Sequence, residues 1–334
     1  MKIAKIITEV KYIELKTPFK TALRETSHVE FVRVHVELEN GLVGIGEAPA
    51  TKAITGEGIE DILNSINSVK RDFINFDIIG SSAKAALDMA YVSLQAKKEK
   101  QTFIEYFNTT DLSPLKTDVT ISLNSMDVML EDAKKAYAEN MSILKVKLGK
   151  DITHAIHVIK TISKELPYVE IIVDANQAWS LNDSLRFIDA MKGVNIELIE
   201  QPVVASDLES LKKITEYSHI PILADESVFT LEDAKKVIES KSADMINIKL
   251  MKCGGVTKAV EILEYARKND VICMLGSMLE GPYSINIALH LAMAYRDVVK
   301  YIDLDSPLLY KEPSSELDFE FKGCEIIYNQ HLQY

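Results

Sequence analysis

The sequence predicts an α/β protein in which a (β/α) barrel follows a smaller N-terminal α+β domain. From about residue 117 onward, short apolar runs alternate with amphipathic helical segments, as in parallel sheets built from crossover units. Eight such runs recur at nearly constant spacing, which favours a closed barrel over an open sheet. The first third of the chain instead alternates between apolar and polar residues, as antiparallel strands do.

The N-terminal strands come first along the chain. Residues 2–16 have strand-like composition, and residues 28–48 alternate between apolar and polar side chains. The Asn40-Gly41 pair in the middle of the second segment supplies residues that adopt positive φ in a tight hairpin. The pattern therefore predicts a small antiparallel sheet.

Two helices complete this N-terminal unit, near 57–70 and 81–98, where apolar residues recur every three or four positions. The Ser113-Pro114 pair then breaks the pattern. We therefore expect three parts: a capping domain at 1–115, the barrel at 116–305, and a short C-terminal return to the capping domain at 306–334.

Eight apolar runs predict the barrel strands, and seven helical segments lie between them. The runs are 119–123, 143–148, 170–176, 196–202, 221–227, 245–250, 271–277 and 298–305. A doubly wound sheet is the alternative, and it would require a glycine-rich phosphate turn after the first strand. The glycines of 41–46 lie in the predicted hairpin and read as turn residues.

Composition limits the classes of partner. A net charge of −12 over 334 residues argues against a broad nucleic-acid surface or binding to an anionic membrane. No apolar run is long enough for a transmembrane helix, and the first residues lack the apolar core of a signal peptide. Three cysteines without C-x-x-C spacing indicate no disulfide framework. We expect a cytoplasmic protein with a small-molecule substrate; the sequence leaves homo-oligomerisation open.

Carboxylates end three consecutive predicted strands. Asp174, Glu200 and Asp225 occupy equivalent positions, and the carboxyl ends of barrel strands form the face that carries active sites. Three hard oxygen ligands without a nearby cysteine or histidine favour Mg²⁺ over Zn²⁺. The sequence therefore predicts one divalent metal, most simply Mg²⁺, at the mouth of the barrel.

Lysines add a second function to this mouth. Lys145 and Lys147 lie two apart on the second strand and share a face, while Lys249 ends the sixth strand on the opposite side of an eight-stranded ring. Two bases on opposite sides of one carbon can remove a proton from one face and return it to the other. Mg²⁺ at the carboxylate of a substrate would stabilise the enediolate formed in between.

Seven strings carry a resemblance to the enolase superfamily. They are LKVKLG, VDANQAW, IEQPV, ADESVF, INIKLMKCGG, GSMLE and DLDSPL. Within the superfamily the chain resembles the muconate-lactonising subgroup, and most closely the dipeptide epimerases. KTPFKTALRE and APATKAITGE are similar to the two capping loops of that family. The resemblance covers nearly the whole chain and implies a modified, TIM-type (β/α)7β barrel.

The resemblance also implies roles for individual residues. Lys147 and Lys249 would be the acid/base pair, with Lys145 assisting the enediolate, and the three carboxylates would ligate Mg²⁺. Asp303 and Asp305 would bind the ammonium group of a dipeptide, and Arg24 would meet an acidic side chain. Other matching pocket positions, whose roles are less defined, are Phe19, Ile54, Thr120, Ser277 and Met278.

The sequence thus predicts a Mg²⁺-dependent dipeptide epimerase that inverts the Cα of the C-terminal residue, with L-Ala-L/D-Glu from murein peptides as the preferred substrate. Three alternatives stay open. A cycloisomerase or dehydratase of a non-peptide acid, as in succinylbenzoate synthesis, would use the same base chemistry without an ammonium site. A non-catalytic metal-binding barrel would have no use for buried lysines. A glycosidase would use paired carboxylates and leave the lysines without a task.

Overall fold

The computed structural model describes residues 2–69 and 80–329. The N-terminal part is a three-stranded antiparallel sheet in the order β1-β2-β3. Its strands are β1 (Ile3–Lys20), β2 (Glu25–Leu38) and β3 (Val43–Pro49). The predicted sheet and hairpin are confirmed, but of the Asn40-Gly41 pair only Gly41 has positive φ, at 84°. The connection is longer than a two-residue turn, with the Leu38 N–H bonded to the Leu42 carbonyl, so Asn40 need not adopt that conformation.

Helices follow this sheet along the chain, and the second and third of them pack against it. They are α1 (Lys52–Thr55), α2 (Ile59–Asn67), α3 (Ser81–Lys98) and α4 (Phe103–Tyr106). Strand β3 lies directly against α3, where a Cβ on Gly46 would stand 1.9 Å from the Ala86 carbonyl oxygen. Glycine is therefore required there for the backbones to approach. Residue 70, the last of the predicted helix 57–70, lies outside the described residues.

Eight parallel strands form the second sheet, in the order β12-β11-β10-β9-β8-β7-β6-β5. They are β5 (Val119–Ile121), β6 (Ile143–Lys147), β7 (Glu170–Asp174), β8 (Ile196–Glu200), β9 (Ile222–Ala224), β10 (Met245–Lys249), β11 (Ile272–Gly276) and β12 (Val299–Asp303). The two end strands meet, since the Asp118 N–H donates to the Ile302 carbonyl at 3.3 Å. All eight predicted runs are strands, and the predicted barrel is confirmed.

Helices lie between successive barrel strands and bury their apolar faces against the outside of the sheet. They are α5 (Met126–Ala138), α6 (Ile152–Glu165), α7 (Leu181–Ala190), α8 (Leu208–Tyr217), α9 (Leu231–Ser240), α10 (Leu250–Cys253), α11 (Val256–Lys268) and α12 (Pro282–Ala294). One large core cluster holds both layers together. None of the helices in the described ranges is long and apolar enough to cross a membrane.

The C-terminal segment contacts both parts of the chain. It contains α13 (Ser306–Leu309), β13 (Phe319–Lys322) and β14 (Glu325–Tyr328). Tyr310 forms a bridge with Leu15 of β1, whereas β14 pairs with the short strand β4 (Leu115–Lys116). The segment therefore returns to the N-terminal sheet first and then to the chain that links the two parts. Residues 330–334 of the predicted return, like Met1 and 70–79 of the predicted capping domain, lie outside the described ranges. The boundaries between the three parts remain predictions.

Candidate active site

One cavity opens at the carboxyl ends of the barrel strands, beneath the connection between β1 and β2. The sequence-predicted residues that line it are Phe19, Arg24, Ile54, Thr120, Lys147, Asp225, Lys249, Ser277, Met278, Asp303 and Asp305. The remaining three, Lys145, Asp174 and Glu200, are fully buried and linked to the cavity residues by ion pairs among themselves and with Lys147 and Asp303. The structure thus brings all fourteen predicted residues into one connected region.

Three carboxylates stand on adjacent strands. Asp174 and Glu200 are the last residues of β7 and β8, and Asp225 directly follows β9. Each side chain is almost completely buried. Buried carboxylates are costly unless cations or hydrogen-bond donors compensate them, and here ammonium groups do so.

Each of the two outer carboxylates holds one of the predicted base lysines. Lys147 Nζ lies 2.6 Å from Asp174 Oδ2, and Lys249 Nζ lies 2.9 Å from Asp225 Oδ2. Their strands, β6 and β10, stand four places apart in the barrel order. Burial opposes the charge of Lys249, but Asp225 outweighs it and raises the pKa of Lys249 above its ordinary value. Lys147 and Lys249 therefore approach the cavity from opposite sides.

Lys145 connects the carboxylates to the last strand. Its Nζ lies 2.6 Å from Glu200 Oε2, 2.6 Å from Asp303 Oδ2 and 3.5 Å from Asp174 Oδ2. Burial disfavours the ammonium form, but these three carboxylates together raise the pKa of Lys145 well above its ordinary value. These carboxylates therefore favour the ammonium form of Lys145, which does not line the cavity and is suited to electrostatic stabilisation.

The carboxylates fit a hard divalent cation by their charge and donor chemistry. Burial, followed by the neighbouring charge of Asp174, raises the pKa of Glu200 to about 7. Lys147 and Lys249 stand at oxygens of the two flanking carboxylates, where a metal ion would compete with them. Asp174, Glu200 and Asp225 thus form an all-oxygen set of hard donors, which is the type of ligand that Mg²⁺ prefers.

The last predicted strand, 298–305, is shorter in the structure and ends before the second of its two aspartates. Asp303 ends β12, but Asp305 is no longer on the strand: it precedes α13 with φ −80° and ψ −6°. The Thr120 N–H fixes Asp305, donating to Oδ2 at 2.7 Å. Both aspartates line the cavity. Their convergence comes from the turn at the end of β12 and not from strand alternation.

A third aspartate, which sequence reasoning missed, stands beside this pair. One oxygen from each of Asp118, Asp303 and Asp305 lies within 4.8 Å of the others, the one such trio of acidic groups within the described ranges. Burial, with the charge of Asp303, raises the pKa of Asp118 well above its ordinary value. The only sequence signal was an aspartate directly before the first apolar run, which reads equally as a strand-preceding turn residue.

Further polar groups escaped the sequence analysis around Asp225. Lys252 is buried and donates to Asp225 Oδ1 at 2.5 Å and to the Asn247 carbonyl at 2.9 Å. Glu226 is also buried and lines the cavity, where burial and then the charge of Asp225 raise its pKa to about 8. Asn176 donates weakly to it at 3.4 Å. The only sequence signal for Glu226 and Lys252 was polarity within the strings ADES and KLMK, next to residues that end predicted strands.

The cap supplies the less polar side of the cavity. Arg24, in the connection between β1 and β2, stacks near the Phe19 ring with its Cζ 6.0 Å from the centroid. Burial lowers the pKa of Arg24 to about 10. No carboxylate pairs with Arg24 within the described ranges. Ile54 of α1 lies on the same side. A guanidinium held against an aromatic ring without an internal counterion is suited to an anionic group from a ligand.

These features define a capped (β/α) barrel with an acidic metal-type centre and opposed lysines, and the comparisons with known proteins agree. Residues 3–106 match the model of the mandelate racemase/muconate lactonizing enzyme N-terminal domain, and residues 128–327 match the enolase C-terminal domain-like model. The chain belongs to the enolase superfamily.

Its relatives include several epimerases. The L-amino acid-D/L-Glu epimerase of Sulfurimonas denitrificans is 64% identical, covering 98% of this chain and 99% of the relative. A substrate-liganded structure of the Bacillus subtilis L-Ala-D/L-Glu epimerase has a TM-score of 0.90 at 36% identity, covering 98% and 96%. The Enterococcus faecalis dipeptide epimerase, complexed with Mg and L-Leu-L-Tyr, has a TM-score of 0.88 at 30% identity, covering 98% and 97%.

Proposed function

We propose that the protein is a Mg²⁺-dependent dipeptide epimerase, an isomerase that inverts the Cα of the C-terminal residue, with L-Ala-L/D-Glu as the preferred substrate. The observation that carries the proposal is the placement of Lys147 and Lys249 on opposite sides of one cavity, each beside a carboxylate of the acidic centre. The names of the relatives support the substrate class.

Asp174, Glu200 and Asp225 would hold the metal. Mg²⁺, when bound, would stabilise the second negative charge that develops on the substrate carboxylate as its α-proton leaves. Lys145 would add a fixed positive charge to the same region, because its three carboxylate contacts keep it protonated. Lys147 and Lys249, which stand beside Asp174 and Asp225, would exchange protons with the substrate.

Proton transfer by the two lysines would invert the stereocentre. One lysine, as the neutral amine, removes the α-proton from its face of the substrate. The other, as the ammonium, delivers a proton to the opposite face, and the roles reverse for the opposite enantiomer. A single base could not reach both faces of a fixed carbon, so the opposed geometry of β6 and β10 is what epimerisation requires.

The rest of the cavity would select the dipeptide. Asp303 and Asp305 would accept hydrogen bonds from the N-terminal ammonium group, a charge-assisted contact. Arg24 would pair with the side-chain carboxylate of a C-terminal glutamate. Phe19, Ile54, Thr120, Ser277 and Met278 would line the space around the two side chains. An acid without an amino group would leave the two aspartates without a cation.

The experiment is an activity screen in D₂O. The purified protein with Mg²⁺ is incubated with L-Ala-L-Xaa dipeptides, and mass spectrometry and chiral chromatography follow deuterium uptake and inversion at the C-terminal residue. Uptake with inversion, greatest for glutamate, is expected, and a chelator should stop it until Mg²⁺ is restored. Exchange on neutral or cationic dipeptides instead would discard the glutamate preference. No exchange on any dipeptide would contradict the function and favour a non-peptide acid.

A further inference from the structure

Glu280 is a buried carboxylate that does not line the cavity yet holds part of its wall. It lies in the loop between β11 and α12, directly after the cavity residues Ser277, Met278 and Leu279, and is 1% exposed. Its Oε1 accepts a hydrogen bond from the Met278 N–H at 2.8 Å. The side chain thus turns back and holds the backbone of Met278, which lines the cavity.

The second carboxylate oxygen links this wall to the cap. Oε2 accepts the hydroxyl of Ser284, in the first turn of α12. The Ser284 N–H in turn donates to Glu47 Oε2 of β3 at 3.0 Å. Glu47 is held by Arg33 of β2, at 2.6 Å between Oε1 and Nη2. A continuous chain of hydrogen bonds therefore joins the cavity wall to strands β3 and β2 of the cap.

The backbone of Glu280 makes a similar link to the segment after the last barrel strand. Its N–H donates to Ser306 Oγ at 3.0 Å, and its carbonyl accepts from the hydroxyls of Ser306 and Tyr310. Ser306 directly follows Asp305. Glu280 therefore connects the Ser277–Leu279 wall, the ammonium-binding pair and the cap at one buried point.

The backbone around Glu280 is tightly packed. A Cβ on the next residue, Gly281, would stand 2.5 Å from Glu47 Oε2 and 2.7 Å from the Phe31 ring. Neighbouring apolar residues Leu15, Phe31, Leu279 and Tyr310 form a separate small cluster around it. Interiors with this density transmit a displacement instead of absorbing it, so loss of the carboxylate would shift the wall.

We propose that Glu280 is a positioning residue, which fixes the backbone of Ser277–Leu279 so that this wall and the Asp303/Asp305 pair together fit the dipeptide. The inference rests on the proposed function. Because Glu280 touches neither the lysines nor the acidic centre, its loss weakens the binding of substrate and transition state alike and leaves the chemical groups in place.

The test compares Glu280→Ala with Glu280→Gln. The amide oxygen of glutamine can still accept the Met278 N–H, so Glu280→Gln retains the wild-type KM. In Glu280→Ala we expect KM to rise roughly tenfold while kcat changes less than about threefold, as for a misplaced substrate contact. Calorimetry without substrate should give an unchanged Mg²⁺ affinity. Wild-type KM in a folded Glu280→Ala variant would overturn the proposal.

Asp88→Ala provides the matched control. Asp88 is also buried and also accepts one backbone N–H and one hydroxyl, both from Thr257, but it joins α3 to α11 away from the cavity. We expect Asp88→Ala to lower the melting temperature without changing KM. Equal KM changes in the two alanine variants would show a general loss of packing and overturn the positioning role.

Two further measurements distinguish a failure of the positioning role of Glu280 from a failure of the proposed function. Amide hydrogen exchange at Met278 should accelerate in Glu280→Ala and not in Glu280→Gln; unchanged exchange would overturn the proposal whatever the enzyme's substrate. Absence of turnover by the wild type would instead reject the proposed function. If Glu280→Ala does not fold, Ser284→Ala, which removes the partner of Oε2, should raise KM about threefold, and a wild-type KM in that variant would overturn the proposal.

Discussion

The two halves of the cavity are built in different ways. The barrel half consists of strand-end residues whose charged groups are buried and paired at 2.6 to 2.9 Å, as for Lys147 with Asp174 and Lys249 with Asp225. The cap half consists of Phe19, Arg24 and Ile54, which lie at the end of β1, in the connection to β2 and on a one-turn helix, and are only partly buried. No ion pair holds Arg24 within the described ranges.

This difference separates chemistry from selectivity. A strand end cannot move without disturbing the barrel ladder, so the acid/base and carboxylate groups have fixed relative positions. A loop residue without an internal ion pair can change identity at little cost to stability. We therefore expect substitutions in the barrel half to change the rate for every substrate, and substitutions in the cap half to change which substrate is preferred.

The largest effect is expected from the two base lysines. Lys147→Ala and Lys249→Ala should each lower the rate of epimerisation by roughly 10³-fold, because each removes one of two general acid/base groups. Each variant should still exchange the α-proton of the one enantiomer whose remaining lysine faces it. The measurement is deuterium uptake from L-Ala-L-Glu and L-Ala-D-Glu separately. Equal loss of exchange for both enantiomers in both variants would contradict the assignment of one lysine to each face.

A smaller and more selective effect is expected from Arg24→Ala. Loss of a charge-assisted contact to the side-chain carboxylate should lower kcat/KM for L-Ala-L-Glu by roughly 10- to 100-fold. Dipeptides with neutral C-terminal residues should react at rates close to those of the wild type. Steady-state kinetics on both classes measures the ratio. An equal loss on both classes would assign Arg24 to the cap structure and not to recognition.

The last prediction concerns stability and its dependence on pH at the junction between the halves. Burial raises the pKa of Glu280 from 4.5 to about 7; hydrogen bonds from Ser284 and Met278 oppose the shift, Glu47 adds to it and Lys249 again opposes it. The raised pKa of Glu280 contributes to the stability of the folded state. This contribution is complete below pH 4.5 and is lost as the pH rises through 7, because between these two values only the folded state holds the proton.

The glutamine side chain does not titrate, so comparison with Glu280→Gln isolates the contribution of the Glu280 carboxyl group to stability. The free energy of unfolding of the wild type relative to Glu280→Gln should fall between pH 5 and pH 8 by at most about 3 kcal/mol. Urea titrations with saturating Mg²⁺ at each pH measure the difference. A difference that does not vary with pH would show that Glu280 keeps the same charge in both states.

Much of the fold and the barrel half could be predicted from the sequence because strand ends obey simple rules. A polar residue that ends an apolar run lies at the carboxyl edge, so Asp174, Glu200 and Lys249 followed from position alone. Asp305 shows where the rule fails: β12 ends two residues earlier, and a turn brings the side chain into the cavity.

Other residues could not be found in this way because their positions depend on tertiary contacts. Asp118 precedes its strand and approaches Asp303 only because the first and last strands meet around the barrel. Lys252 follows Lys249 in a short helix and turns back to Asp225. Glu280 acts through the backbone of Met278 and through contacts with the cap, none of which leaves a local pattern.

The most direct test of two-base inversion is the early deuterium content of product and substrate. L-Ala-L-Glu is incubated with the wild-type enzyme and Mg²⁺ in D₂O, and the reaction is stopped within the first few per cent of conversion. With opposed lysines, the L-Ala-D-Glu formed should carry solvent deuterium at Cα, and the same should hold in the reverse direction. Product that retains the original hydrogen in both directions would show one base serving both faces and would contradict the account.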